Sequence, residues 1–336
     1  VGWVRAVQIL RGAGRWPGPL APLAAPRATV PAPLAGIGGG DPRRQATIAI
    51  VPELPEVHAL TAFLDERIAG RQVERCDLAS FSALKTVDPP LQSLVGRVAT
   101  SCQRRGKYLC FDLDGVWMVI HLSRGGWVKW YDQLPATRPR PGKGPMQLRM
   151  GFEGGGGFDV TEMGKEKRLA IWVVDDPDRI ENVATLGVDP LTPQFTVDAL
   201  AGLLAGNGAT LKTVLTSQSL IAGVGNAYSD EALHAARLSP YKKSSNLTPD
   251  EVSSLHAALV EVLTVALERA QGLGASELKG DKKQGMAVHG RTGEACPTCG
   301  DTIRQVSFAT KSMQYCPTCQ TGGKPLADRR LSKLLK

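Results

Sequence analysis

Two repeat lengths of apolar residues divide the chain. Between 56 and 69, Val57, Leu60, Leu64 and Ile68 recur at spacings of three and four, and Gly70 follows. That is an amphipathic helix closed by a glycine. From 72 to about 185 the runs are shorter and strand-like. Residues 108–113, the Asp114-Gly115 turn and residues 116–122 predict a hairpin. Further strands are expected at 147–152, 158–161 and 168–174, with the flexible glycine run 154–157 between the first two. After Pro193 the period becomes helical. Thr196 caps a short helix to 204, and 210–217 and 227–237 predict two more. Thr248-Pro249-Asp250-Glu251 joins a capping box to a proline at the first helical position. Behind it Val252, Leu255, Leu259, Val262, Leu263 and Ala266 form one apolar stripe. The tail from 291 holds short strand-like pieces.

Composition narrows the class. Of 336 residues, 43% are hydrophobic and 21% charged, enough for two or three globular domains. No run approaches the roughly eighteen apolar residues of a membrane-spanning helix, so no membrane partner is expected. A net charge of +8 and a pI near 9.2 invite an anionic partner, nucleic acid first. The excess is uneven, because residues 1–50 hold six arginines against a single acid, Asp41. Gly, Pro and Ala fill 25 of those positions and no apolar period persists. The segment reads as a disordered extension or as sequence upstream of a mis-assigned start. It also lacks the apolar stretch of a targeting signal. Val1 and Val51 are both residues a GTG start codon would spell, which makes Val51 a candidate start.

The seven cysteines fall into two sets. Cys76, Cys102 and Cys110 are scattered and read as small core residues. Cys296-Pro-Thr-Cys299 and Cys316-Pro-Thr-Cys319 are two pairs separated by sixteen residues. Each pair can set two thiolates on one tetrahedral ion. One structural zinc, with no open coordination position, is favoured over two disulfides or a redox pair. An odd cysteine count without a secretory signal points to a reducing compartment.

Pro52-Glu53-Leu54-Pro55-Glu56-Val57 alone reads as helix-start chemistry. It is followed by Arg105-Gly106-Lys107-Tyr108, Leu211-Lys212, Ala222-Gly223-Val224-Gly225-Asn226-Ala227-Tyr228 and the four cysteines, in that order. Over roughly residues 52–320 the set resembles the formamidopyrimidine-DNA glycosylase/endonuclease VIII family. The resemblance implies an α+β multidomain fold. Its parts are an N-terminal β-sandwich with flanking helices (52–185), a helix–two-turn–helix DNA-binding domain (195–290), a zinc-finger hairpin (291–320) and a basic tail (321–336). It further implies a monomeric, bacterial, cytoplasmic bifunctional DNA glycosylase and abasic-site lyase of base-excision repair. Damaged double-stranded DNA would lie between the two halves.

The resemblance also assigns roles. Pro52 becomes the Schiff-base nucleophile, since a free N-terminal amine titrates at about 8. Glu53 is the proton donor, Glu56 a supporting acid, and Lys107 the lysine that assists β-elimination. Inside a longer chain Pro52 is a tertiary amide without a nucleophilic lone pair, so this chemistry requires a chain that begins at Pro52. Lys212, Asn226 and Tyr228 are implied phosphate ligands, beside a helix N-terminus suited to an anion. Lys311 stands where many relatives carry an arginine that grips phosphate and assists δ-elimination; lysine keeps the charge and loses the bidentate fork.

Such enzymes extrude the target nucleotide and fill the gap with side chains. Arg124 replaces the usual methionine of one filling loop. In the other, Asp159-Val160-Thr161-Glu162-Met163-Gly164 replaces Asp-Pro-Arg-Arg-Phe-Gly, leaving Arg124 and Met163 as candidate wedges. Residues 274–288 are shorter than the segment that caps 8-oxoguanine in relatives. These departures lean the substrate toward oxidised pyrimidines or abasic sites, with 8-oxoguanine and formamidopyrimidine as the alternative. A non-catalytic damaged-DNA-binding protein on the same fold is the reading if Pro52 is not freed. A zinc-ribbon scaffold for transcription or RNA accounts for the cysteines alone.

Overall fold

The computed structural model describes residues 51–142, 144–164, 166–307 and 312–327. The expectations for residues 1–50, for Lys311 and for the tail beyond 327 lie outside the described residues. Helix α1 spans Leu54–Ile68, two residues ahead of the apolar period. Its start is set by capping: Glu53 is the N-cap residue, and its backbone N–H donates to Glu56 Oε2 at 2.8 Å.

Eight strands follow, with two short 3-10 turns, Phe81–Ala83 and Leu91–Leu94, between the first two: β1 (Val73–Leu78), β2 (Ala99–Arg105), β3 (Tyr108–Leu113), β4 (Val116–His121), β5 (Gly126–Tyr131), β6 (Met146–Phe152), β7 (Gly157–Glu162) and β8 (Ala170–Val174). They form two four-stranded sheets, ordered β1-β6-β7-β5 and β2-β3-β4-β8, with every pair antiparallel. The predicted hairpin is β3–β4, in register from Leu113 opposite Val116 to Tyr108 opposite His121. The sheets pack face to face: Phe111 of one stacks on Phe158 of the other at 5.4 Å between ring centres.

Helices follow: α2 (Glu181–Ala184), α3 (Val197–Ala205), α4 (Leu211–Thr216), α5 (Asn226–Ala235), α6 (Pro249–Ala270) and α7 (Leu278–Gln284). Thr196 and Thr248 cap α3 and α6 through their side chains, as their sequence positions predict. The chain closes with strands β9 (Arg304–Ser307) and β10 (Ser312–Tyr315), paired antiparallel, and helix α8 (Pro317–Thr321).

The two halves share α1. Val57, Leu60, Leu64 and Ile68 belong to the sandwich core, whereas Leu54 is buried among helical-domain residues such as Leu215, Val224 and Leu259. Burying one leucine is worth about 2 kcal/mol, so each end of α1 is anchored in a different core. Leu54 N–H donates to Gly223 O at 3.0 Å. Gly223 has φ +84° and lies so close that a Cβ there would meet Leu54 Cβ at 2.8 Å. Only glycine fits that contact. The linker after α6 returns to the sandwich, where Trp127 Nε1 donates to Ala275 O at 2.6 Å and Leu278 joins the sandwich core. That packing aims α7 at the start of α1.

Candidate active site and metal centre

Pro52 and Glu53 are buried where α1 meets the N-terminus of α5. The Glu53 carboxylate accepts the backbone N–H of Ala227 at 2.9 Å and of Tyr228 at 3.3 Å. The helix end expected to suit a phosphate therefore already holds an internal anion, favoured by the helix dipole. Burial raises the Glu53 pKa, but Lys282, Lys107, the Ala227 N–H and His289 outweigh it and hold the carboxyl at about 2. Glu53 is thus ionised at neutral pH. Lys107, on the turn between β2 and β3, also faces His121. Burial and Lys107 depress the His121 pKa to about 4, so its imidazole is neutral.

Glu56 is equally buried and fully engaged. Its oxygens accept from Tyr228 Oη at 2.5 Å, from Glu53 N at 2.8 Å and from Lys282 Nζ at 2.8 Å. Tyr228, 3% exposed, has its hydroxyl on Glu56 and not on an open surface. Lys212 is tied to α5, donating to Asn226 O (2.6 Å), Ser229 Oγ (2.8 Å) and Asp230 Oδ1 (2.6 Å). Asn226 Nδ2 donates to Ser312 O at 2.6 Å, which docks β10 on the start of α5. All three residues implied as phosphate ligands surround the α5 N-terminus, with their polar groups bonded within the protein. Arg124 and Met163 lie on adjoining turns joined by Met163 N–H to Gly125 O at 2.9 Å. Both are exposed, Met163 by 64%.

Sequence reasoning missed three residues here. Lys282, on α7, lies 3.8 Å from Glu53 Oε1 and 4.7 Å from the centre of the Tyr228 ring. Its spacing of four from buried Leu278 was the available signal. Asp230, 1% exposed, gathers Lys212, His289 Nδ1 at 2.8 Å and the Gln314 N–H at 3.2 Å. Glu231 accepts the backbone N–H groups of Ala287, Val288 and His289, holding the approach to the finger.

The four cysteine sulfurs lie within 4.8 Å of one another, with Cys299–Cys316 at 3.4 Å and Cys296–Cys319 at 3.9 Å. A tetrahedron with Zn–S bonds of about 2.3 Å needs sulfurs about 3.8 Å apart, so the set fits one zinc ion. Four thiolates leave no coordination position open, which makes the site structural. His234 Nε2, near the end of α5, lies 3.3 Å from Cys296 Sγ and ties that helix to the metal site.

The chain is similar in structure to two solved glycosylase-family proteins. One is formamidopyrimidine-DNA glycosylase from Lactococcus lactis, bound non-covalently to abasic-site DNA: TM-score 0.70, 26% identity, covering 80% of this chain and 99% of that one. The other is MutM from Thermus thermophilus: TM-score 0.69, 30% identity, covering 82% and 100%. Sandwich, helical domain and four-cysteine finger together define a DNA glycosylase of base-excision repair. Models of the formamidopyrimidine-DNA glycosylase N-terminal domain and H2TH domain match residues 51–165 and 186–277, and that of a zinc finger found in FPG and IleRS matches 293–322. The formamidopyrimidine-DNA glycosylase of Symbiobacterium thermophilum is 34% identical over 289 residues, covering 83% of this chain and 93% of that protein. A formamidopyrimidine-DNA glycosylase-like protein of Mycobacterium tuberculosis is 58% identical over 151 residues, 45% of this chain and 94% of that one. The chain belongs to the formamidopyrimidine-DNA glycosylase family, whose members are DNA glycosylases with abasic-site lyase activity. Among the described residues no helix is long and apolar enough to cross a membrane.

Proposed function

We propose that this chain, when it begins at Pro52, removes a damaged base and then nicks the strand through a Schiff base on the Pro52 nitrogen. The observation that carries the reading is the meeting of Pro52 and Glu53, both buried, with Lys107 at the N-terminus of α5. The amine lone pair attacks C1′ of the flipped nucleotide, and the C1′–base bond breaks with its electrons leaving on the base, which takes up a proton from water. The proton released from the attacking nitrogen passes to the Glu53 carboxylate and from there to the sugar ring oxygen, which opens the ring and leaves an iminium. A C2′ proton then passes to water and its C–H electrons expel the 3′ phosphate, a step the Lys107 ammonium would assist by charge. A Glu53 ionised before substrate binds suits it to accept first and donate second.

Lys311 would support a second elimination with charge but without a guanidinium fork. Arg124 and Met163, adjoining and exposed, are the residues we place in the gap left by the extruded nucleotide. The altered filling loops and the short 274–288 segment favour oxidised pyrimidines or abasic sites over 8-oxoguanine. Borohydride trapping on an abasic-site duplex, with protein verified by mass to begin at Pro52, tests the chemistry. A covalent complex that disappears when Pro52 is blocked is expected; no complex from protein that still retains the duplex would overturn it. In that outcome the protein is a damaged-DNA binder, a reading favoured by one observation: with residue 51 present, Val51 O accepts a bond from Lys282 and Pro52 is an amide. A panel of damaged bases then decides the substrate.

A further inference from the structure

Lys282 is 6% exposed, yet it sits on a helix, Leu278–Gln284, whose residues after Leu278 are glycine or polar. Its Nζ contacts three groups at the start of the chain: Val51 O at 2.9 Å, Glu56 Oε2 at 2.8 Å and Glu53 Oε1 at 3.8 Å. The Val51 oxygen belongs to the amide of the Pro52 nitrogen, and amide O and N are about 2.3 Å apart. Lys282 Nζ is therefore no more than about 5 Å from the nitrogen that becomes a free amine when the chain begins at Pro52.

We propose that Lys282 is a positioning residue whose ammonium keeps the Pro52 amine unprotonated and ready to attack, an assignment that rests on the Schiff-base reading above. The charged groups around that nitrogen are Glu53 and Glu56 on α1, Lys107 on the β2–β3 turn and Lys282 on α7. Neutral Tyr228 faces them from α5, and His289, Asp230 and Lys212 lie beyond Glu53. Lys282 and Lys107 stand against Glu53 and Glu56, while Arg269 of α6, which also acts on Tyr228, is balanced by Asp281. In a buried, balanced site a third positive charge is unfavourable, so the amine stays neutral. Removing Lys282 leaves two carboxylates against Lys107 alone, and the excess negative charge draws a proton onto the nitrogen. Lys282 then has a direct effect on the fraction of nucleophile available, in addition to holding Glu56.

The test is the pH dependence of the single-turnover trapping rate on an abasic-site duplex, for protein beginning at Pro52. Residues from 52 onward carry every element described above. Wild type should reach half its maximal rate below pH 8, the ordinary α-amino value of about 8. Lys282→Gln and Lys282→Met should move that midpoint upward on the order of one to two units, the size of a unit charge at about 5 Å in a partly screened site. Lys282→Arg should restore it. A residue that only props up α7 would lower the rate at every pH without moving the midpoint, and that result overturns the proposal. A wild-type midpoint at or above 8 overturns it too, even where both neutral variants fail to fold. If wild type forms no covalent complex at any pH, the Schiff-base reading itself has failed, and this proposal fails with it.

Discussion

The substitution Gly225→Ala isolates what the Glu53 carboxylate contributes. Gly225 precedes α5 with φ −129° and ψ −156°, a conformation open to any residue, so an alanine brings no backbone strain. Its Cβ, however, would stand 2.4 Å from Glu53 Cδ and 2.7 Å from each carboxylate oxygen. Ordinary contact is about 3.5 Å, so the carboxylate must retreat by roughly 1 Å. The clash falls on the tip of a side chain, so the fold survives and the two bonds to Ala227 and Tyr228 are lost. Hydrogen bonds to a charged group are worth about 1.5–3 kcal/mol each. Linkage sets an upper bound. Against burial, Lys282 and Lys107 first, then the Ala227 N–H, bring Glu53 from 4.5 to about 2 on folding. The whole depression stabilises the folded state by on the order of 3 kcal/mol above pH 4.5, of which the lost bonds carry a part. That stability is lost as pH falls from 4.5 toward 2. Urea unfolding of the two proteins in parallel should therefore differ by about 2 kcal/mol at pH 6 and converge as the pH falls toward 2. The finger is common to both, so its acid lability cancels. Single-turnover excision at pH 7 should drop about 100-fold, the usual cost of a 1 Å misplacement. An alanine variant with wild-type excision and an unchanged gap across pH would refute the role given to this carboxylate.

Other consequences are quicker to check. Chelating zinc should loosen β9–β10 first, seen as lost amide-exchange protection, and lower affinity for an abasic duplex at least tenfold; unchanged protection would separate the finger from the metal. Asp230→Ala leaves the ammonium of Lys212 and the His289 ring without their buried partner, and thermal denaturation should report a loss of about 3–5 kcal/mol. A loss below 1 kcal/mol would place that pair outside the stabilising contacts. Arg124→Ala and Met163→Ala sit on exposed turns, so stability should stay within about 0.5 kcal/mol. Fluorescence of 2-aminopurine opposite the lesion should nonetheless report weaker nucleotide extrusion, and an unaltered signal would remove both from the gap.

What the chain discloses without a structure is what its local chemistry decides. The β3–β4 hairpin has its turn and its alternation in one stretch, α6 has its capping box and stripe in another, and the zinc ligands are two tight pairs. Strands β1, β2 and β5 escaped residue-by-residue assignment because each draws its character from a partner across a sheet. Strand β1, Val-Glu-Arg-Cys-Asp-Leu, pairs with β6 and buries Val73 and Cys76 in the sandwich core, while Arg75 and Asp77 pair with each other, partly buried. Helix α7 escaped for a related reason. Its lysines and glycine describe a solvated loop, and only Leu278 at the sandwich and the Trp127 bond to Ala275 turn it inward.

The site itself follows from α5, ten residues with a different partner along each part. Its first N–H groups hold Glu53, its middle carboxylates hold Lys212, His289 and the segment leading to the finger, and its His234 reaches a zinc ligand. A motif reading assigns the glycines before this helix to phosphate. In the structure their close approach serves Leu54 and Glu53, and Lys212, Asn226 and Tyr228 are bonded to the protein's own groups. A phosphate bound at this end would have to share donors with Glu53 or take them from it. Each donor transferred weakens the interaction that holds Glu53 ionised, and the added negative charge acts in the same direction. A phosphate held there would raise the Glu53 pKa toward the range in which it can carry a proton, and on the function proposed above binding and proton transfer would then be coupled through the same few backbone N–H groups.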